Sequence, residues 1–399
     1  MHELLLRGGR AWGHDGQLDV LVRDGQIAAI GPALDMPGAG APAAEVVDIG
    51  GRLVLPGLVD AHTHLDKTLL GGEWVPHSAG DALADRIGND RRRRAELGLP
   101  KVENIVALLE RMVAAGTSYV RSHTDVDPEV GLRGVEAVRA AMERMDGRVT
   151  VEQVAFPQHG LLTNPGTVEL LEEALKNGVG VVGGIDPAGF DRDPVRHLDV
   201  VFGLAERYGA GIDIHLHDGG ALGAWELELI AERTTATGLS GRVTVSHAYG
   251  LGQVDAAQQD RLAELLAAAG VTVLTAAVYS FPVPPIKKLR AAGVNIACGH
   301  DGIRDLWGPY GSGDMLDRAM HVAYRSTFRR DEDIELALDA ATYGGARALG
   351  VQPYGLREGA PADLVVVPAS TAAEAVVTRP PRDLVLKAGR VVARAGQFV

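Results

Sequence analysis

Between residues 53 and 297 the chain alternates short apolar runs with helix-like stretches, and no other feature constrains its fold as much. The apolar runs are 53–59, 118–122, 149–155, 179–185, 211–214, 243–246, 271–276 and 294–297. Helix-patterned segments at 102–115, 134–145, 168–177, 195–208, 221–237 and 255–269 separate most of them. Strands separated by helices pair in parallel, because each crossover carries the chain back over the sheet. Eight such strands predict a closed (β/α)8 TIM barrel, with an open doubly wound α/β sheet as the competitor. No Gly-rich phosphate loop follows any run, which argues against the nucleotide-binding form of the open sheet.

Both ends have a different texture. Runs at 4–6, 18–22, 27–30, 46–49 and 53–55 are separated by Gly8-Gly9, Asp24-Gly25 and Gly50-Gly51. Runs at 364–367, 384–387 and 391–392 follow near the other end, with Gly389-Arg390 as a hairpin turn. Short strands between turn signals predict a small β-sandwich domain assembled from both termini, residues 1–56 plus 347–399, around a barrel domain of 57–346. Apolar residues at 46% and charged residues at 23% are those of a soluble globular protein. A net charge of −13 argues against a nucleic acid or an anionic membrane as partner. The single cysteine, Cys298, excludes an internal disulfide framework and a zinc site built from several thiolates. No long apolar leader and no spanning run is present, so a cytoplasmic location is expected.

In a barrel of this kind the chemistry sits at the C-terminal strand ends. Those ends carry His62 and His64; His123 and Asp125; Gln158 and His159; Asp186; His215, His217 and Asp218; His247; Tyr279; His300 and Asp301. In a strand, residues two apart face the same way, so His62 and His64 leave on one side. With His215 and Asp301 they make three imidazoles and a carboxylate, which suits one divalent ion per chain: zinc or iron(II), with manganese also suitable. Water on such an ion has a pKa near about 7, and the resulting hydroxide would attack an electrophilic carbon. A neighbouring acid/base must then carry the proton to the leaving group.

The segments LVLPGLVDAHTHLDK, VAFPQHGLL, DIHLHDGG, RVTVSHA and CGHDGIRDLWGPYGSGDMLDRA together resemble the amidohydrolase superfamily, over essentially the whole chain. The second and last are similar to the cytosine deaminase-like branch. The resemblance implies His62, His64, His215 and Asp301 as metal ligands, His247 as a catalytic histidine, and Gln158 as a reader of a heterocycle's polar edge. It implies a single ion, since VVGGID offers Asp186 where dinuclear relatives carry a bridging lysine. Two positions depart from the cytosine deaminase pattern: Asp218 stands where a glutamate shuttles the proton, with His217 before it, and Gly302 follows Asp301. Lys67, Asp186, His217 and His247 together are more similar to the N-isopropylammelide aminohydrolase type, which removes an amine from an s-triazine ring.

The expected activity is hydrolytic deamination: hydroxide attacks a ring carbon of an aminated heterocycle, cytosine-like or s-triazine, and ammonia or an amine leaves. His247, with Asp218 or His217 as proton shuttle, is the catalytic set. Gln158, Lys67, Asp186 and Trp307 are the substrate-binding set. The alternative is a ring-opening cyclic amidohydrolase of the dihydropyrimidinase or hydantoinase kind, and a third class is a non-catalytic metal-dependent scaffold. Other readings stay open. Asp186 could cap the next helix. Lys67 could pair with Asp66 or Asp125. His123 and Asp125 could support the ligands. His159 and His300 read as structural and Cys298 as core. Arg91–Arg94 read as a solvated helix face or a subunit contact. Residues 71–100, with Trp74, Pro76 and His77, exceed a usual connection and suit a lid or an oligomer contact. Trp307 and Tyr310 could wall a flat ring. The partners expected are a small heterocyclic substrate and further copies of the chain as a homo-oligomer.

Overall fold

A computed structural model describes residues 3–34, 45–80 and 83–399. The first strands are β1 (Glu3–Ala11), β2 (Leu18–Arg23), β3 (Gln26–Gly31), β4 (Glu45–Asp48) and β5 (Leu53–Pro56). Eight more follow, β6 (Leu58–Thr63), β7 (Thr117–Asp125), β8 (Thr150–Phe156), β9 (Val181–Ile185), β10 (Gly211–His215), β11 (Val243–Ser246), β12 (Thr272–Thr275) and β13 (Ile296–Cys298). They form one eight-stranded sheet in chain order, every neighbour parallel. An isolated parallel bridge between Thr63 and Asp301 joins its ends, and the Asp301 amide donates to the His62 carbonyl at 2.9 Å. Gly299 makes this closure possible. A Cβ there would lie 2.5 Å from the His62 backbone nitrogen and oxygen, closer than any side chain tolerates.

The expected run 53–59 is two strands. Pro56-Gly57 divides it, so β5 joins the terminal sheet while β6 opens the barrel. Periodicity could not reveal this, because both pieces are wholly buried and read as one apolar stretch. The six expected crossover helices are present within one residue at each end. Helices Met315–Arg325, Asp331–Ala340, Tyr343–Ala348 and Ala372–Thr378 were not anticipated.

The C-terminal strands are β14 (Leu364–Val367), β15 (Leu384–Lys387), β16 (Arg390–Arg394) and β17 (Gln397–Phe398). β14 pairs antiparallel with β5, and β5 pairs with the end of β1, so both termini build one nine-stranded sheet. A bulge between Leu6 and Gly9 lets the first half of β1 pair with β2 and β4 and its last residues with β5. The sheet bends there around a shared apolar cluster that includes Leu4, Val20, Ile27, Leu364, Val366 and Leu386. The small β-domain expected from both termini is therefore present, its strands continuous through β1. Its C-terminal hairpin turns at Ala388-Gly389, both at positive φ, one residue before the expected Gly389-Arg390.

We propose Gly57 as the outgoing domain boundary. We propose the return boundary just after helix Tyr343–Ala348, two residues beyond the expected limit, because that helix packs on β6 and β13. Residues 1–2 and 35–44 of the expected small domain lie outside the described residues.

The long connection after β6 contains helix Leu83–Leu97; residues 81 and 82 lie outside the described residues. Its arginine run is not simply a solvated face. Arg94 turns inward to Asp125 at 2.9 Å and Asp127 at 3.4 Å, while Arg93 pairs with Glu96 at the surface. Buried charges persist only when paired in this way, so Arg94 ties the helix to the barrel mouth.

Candidate metal centre and active site

The ends of β6, β10, β11 and β13 converge. One ligand atom each from His62, His215, His247 and Asp301 lies within 4.8 Å of all the others. His64, just past β6, points its Nε2 at Asp301 Oδ1 from 3.2 Å, and His62 Nε2 lies 3.7 Å from the same oxygen. The three expected histidine ligands thus stand around the carboxylate of the fourth, Asp301, and His247 stands within ligand distance as well. His62 Nε2 and both ring nitrogens of His215 and His247 are buried without a hydrogen-bond partner among the described residues.

Electrostatics prepare this set for a cation. Burial, then the nearby Lys67 ammonium, pushes His64 down to about 4. Burial and the neighbouring imidazoles hold His215 and His247 well below the usual histidine range. Burial opposes the Asp301 carboxylate, but His62 and His64 beside it keep it ionised. Neutral imidazoles and an ionised carboxylate are the protonation states a divalent ion requires, and orphaned buried nitrogens are costly without one. The residues fit the metal. The backbone of His247 and Asp301 is held at positive φ, 71° and 64°, a conformation that side chains other than glycine adopt infrequently.

The chain after His215 turns so that His217 and Asp218 diverge. His217 Nδ1 donates to Asp186 Oδ2 at 2.9 Å, its amide donates to Asp186 Oδ1 at 2.6 Å, and its ring stacks on His247 at 4.5 Å. Burial disfavours the His217 cation, but Asp186 outweighs it and raises the imidazole above its ordinary value. Asp186 therefore holds His217 and caps no helix; the next one is capped by Asp193. Asp218 instead accepts from the Gly189 amide at 2.8 Å and lies beside Glu226, away from the lining of the cavity. Burial, then Asp218, pushes Glu226 up to about 8.

A cavity of about 990 Å³ opens over the metal residues. On one side Lys67 Nζ donates to Gln158 Oε1 and pairs with Asp125 at 2.9 Å, 5.9 Å from the Trp307 ring centroid. All four expected substrate-binding residues, Lys67, Gln158, Asp186 and Trp307, line the cavity. Asp305 also lines it, with burial pushing its carboxyl up to about 7. On the other side Tyr249 lies 5.5 Å from His217 and stacks on Phe281 at 5.2 Å; Tyr279 continues to Tyr310 at 6.0 Å. Sequence reasoning missed Tyr249, Phe281 and Asp305 as site residues. Tyr249 stands two past His247, and Asp305 stands four past Asp301 inside the segment that carried the resemblance. His123 lies behind the ligands, pushed down to about 3 by burial and then by His62. His159 and His300 pair with Asp127 and Asp60 as structural histidines do.

A metal-competent histidine and aspartate cluster at the C-terminal mouth of a parallel barrel defines a class, and the sequence pattern of the amidohydrolase family matches residues 45–150 and 107–399: the chain belongs to that family. It is a hydrolytic enzyme acting on carbon–nitrogen bonds, in a metal-dependent family. It is 33% identical over 356 residues to N-isopropylammelide isopropyl amidohydrolase of Pseudomonas sp. strain ADP, covering 87% of this chain and 88% of that one. The crystal structure of N-isopropylammelide isopropylaminohydrolase from Burkholderia multivorans superposes over 100% of both chains, with TM-score 0.96 and 46% identity. That of 5-methylcytosine deaminase from Klebsiella pneumoniae, liganded with 5-fluorocytosine, covers 98% of this chain and 97% of that one, with TM-score 0.85 and 27% identity. Among the described residues no helix is long and apolar enough to cross a membrane.

Proposed function

We propose that this enzyme removes a substituted amine from an oxo-substituted nitrogen heterocycle of the s-triazine type, with a cytosine-like pyrimidine as the second candidate. The observation that carries the reading is the asymmetry of the cavity. Lys67 and Gln158 form a donor pair: Gln158 Oε1 is taken by Lys67, and its amide Nε2 makes no hydrogen bond among the described residues. Two donors suit a ring edge bearing carbonyl oxygens. Opposite them the aromatic wall from Tyr249 to Phe281 begins beside His217 and suits an apolar substituent on the departing nitrogen. The likeness to the two N-isopropylammelide enzymes supports the triazine form.

We assign His62, His64, His215 and Asp301 to one divalent ion per chain, zinc or iron(II), with manganese also suited to the donors. When bound, the ion supplies Lewis acidity and lowers the pKa of a water. The chain's own groups do the rest. His247 orients the attacking water. His217, its Nδ1 proton committed to Asp186, presents Nε2 to the cavity and moves the proton to the leaving nitrogen. Asp218 braces the loop at Gly189 in this scheme. Lys67 and Gln158 grip the ring, Trp307 covers it, and the substrate is a small molecule. The homo-oligomer expected from the sequence is a proposal testable by light scattering.

The deciding experiment is a release assay for ammonia and amines across N-alkylamino-s-triazines, aminopyrimidines and cyclic ureides. Release of an alkylamine from an oxo-triazine is the expected result. Ring opening of a cyclic ureide without amine release would replace the proposal by the cyclic amidohydrolase reading.

A further inference from the structure

We infer that Ser246 and Asp213 are positioning residues that fix the tautomer of His62, through a charged relay buried inside the barrel; this rests on His62 being a metal ligand. Interiors of parallel barrels are ordinarily packed with branched apolar side chains. Here, beneath the metal residues, Arg121 on β7 and Asp213 on β10 meet at 3.0 Å, both buried. Each stands two residues before an inward histidine on its own strand, His123 and His215, so each shares that histidine's inward face.

A buried ion pair seldom adds stability over apolar packing, so its partners are informative. Arg121 uses all three of its nitrogens: Nε to Glu152 at 2.7 Å, Nη1 to Asp213 and to Thr244 at 3.1 Å, Nη2 to the Ala348 carbonyl at 2.8 Å. Asp213 Oδ2 is paired with the Arg121 guanidinium, which is always charged, so Asp213 is a carboxylate and an acceptor only. Asp213 Oδ1 lies 2.7 Å from Ser246 Oγ. The single hydroxyl proton of Ser246 is thereby committed to Asp213, and only lone pairs remain on its oxygen. His62 Nδ1 lies 2.9 Å from that oxygen and must carry the proton. His62 Nε2 is then left with its lone pair, unprotonated, facing Asp301 and the cluster.

The contrast with the second ligand from the same strand end is direct. His64 Nδ1 donates to the His123 carbonyl at 3.0 Å, so main chain does for His64 what a side-chain relay does for His62. His62, His123 and Asp213 also bring ligand atoms within 4.8 Å of one another. Asp213 is already held by Arg121 and Ser246, so these three serve as support rather than as a second ion site.

Partners that orient a ligating histidine commonly contribute about 10–100-fold in metal affinity. The test is chelator competition on purified holoenzyme, with circular dichroism to verify folding. Ser246→Ala should weaken the metal by about 10–100-fold, and Ser246→Thr, which keeps the hydroxyl, should recover most of the loss. Ser246→Ala with wild-type affinity overturns the inference, as does a loss that threonine does not recover or a metal content of two equivalents. His62→Ala is the separate control: if it keeps wild-type affinity, the ligand assignment fails rather than the relay.

Discussion

At and beneath the floor of the cavity His62, His215 and His247 stand at strand ends, buried, with their ring environments settled by neighbouring strands. Around its rim Tyr279, Phe281 and Tyr310 stand on loops and remain 53%, 39% and 71% exposed. The floor is built to hold charge states: neutral imidazoles, an ionised aspartate and a relay reaching down to Arg121. The rim is built to offer apolar area. Chemistry and selectivity are thus separated by depth, which lets loops vary the substrate without disturbing the machinery beneath.

The largest expected effect tests the floor. His215→Ala should lose metal and activity together, measured by elemental analysis and turnover on one sample. Retained metal with lost activity would mean that His247, within ligand distance, takes its place.

The next tests the border between floor and rim. His217→Ala should keep the metal and lose about 10²–10⁴ in kcat, whereas Asp218→Ala should lose much less. The reverse order would move the proton path to Asp218 and reinstate the shuttle of the cytosine deaminase pattern.

A smaller effect belongs to the rim alone. Phe281→Ala should remove an aromatic contact of about 1 kcal/mol, raising KM roughly fivefold for substrates with a bulky amine substituent. Unsubstituted amines should be unaffected, and kcat unchanged. An equal change for both would show that the aromatic wall does not read the substituent.

The smallest concerns stability. Glu226 is pushed from an ordinary 4.5 up to about 8, so between those values the folded chain keeps a proton the unfolded chain has lost. The unfolded state then binds fewer protons, and stability falls as pH rises through that window. Glu226→Gln cannot ionise and can still donate to Asp218. It should flatten the decline and be the more stable protein near the top of the window, read from denaturant midpoints at about pH 5 and about pH 8. A mutant with the wild-type slope would assign the proton elsewhere.

Sequence alone determined the barrel, the terminal sheet and the residues at the strand ends. All three follow from periodicities of two and 3.6 and from position relative to a strand end, which are local properties of the chain. His62, His64, His215 and Asp301 were readable as strand-end residues because each falls just after or shortly beyond an apolar run. What only tertiary structure decided depends on side chains from distant strands meeting after closure. Pro56-Gly57 sends one apolar run into two sheets. A turn after His215 sends His217 toward the cavity and Asp218 toward Glu226. Arg94 reaches Asp125 across the mouth, Tyr249 meets Phe281 from another loop, and Ser246 meets both Asp213 and His62. No spacing along the chain encodes these meetings, because the stagger and twist of the closed barrel determine which side chains share its interior.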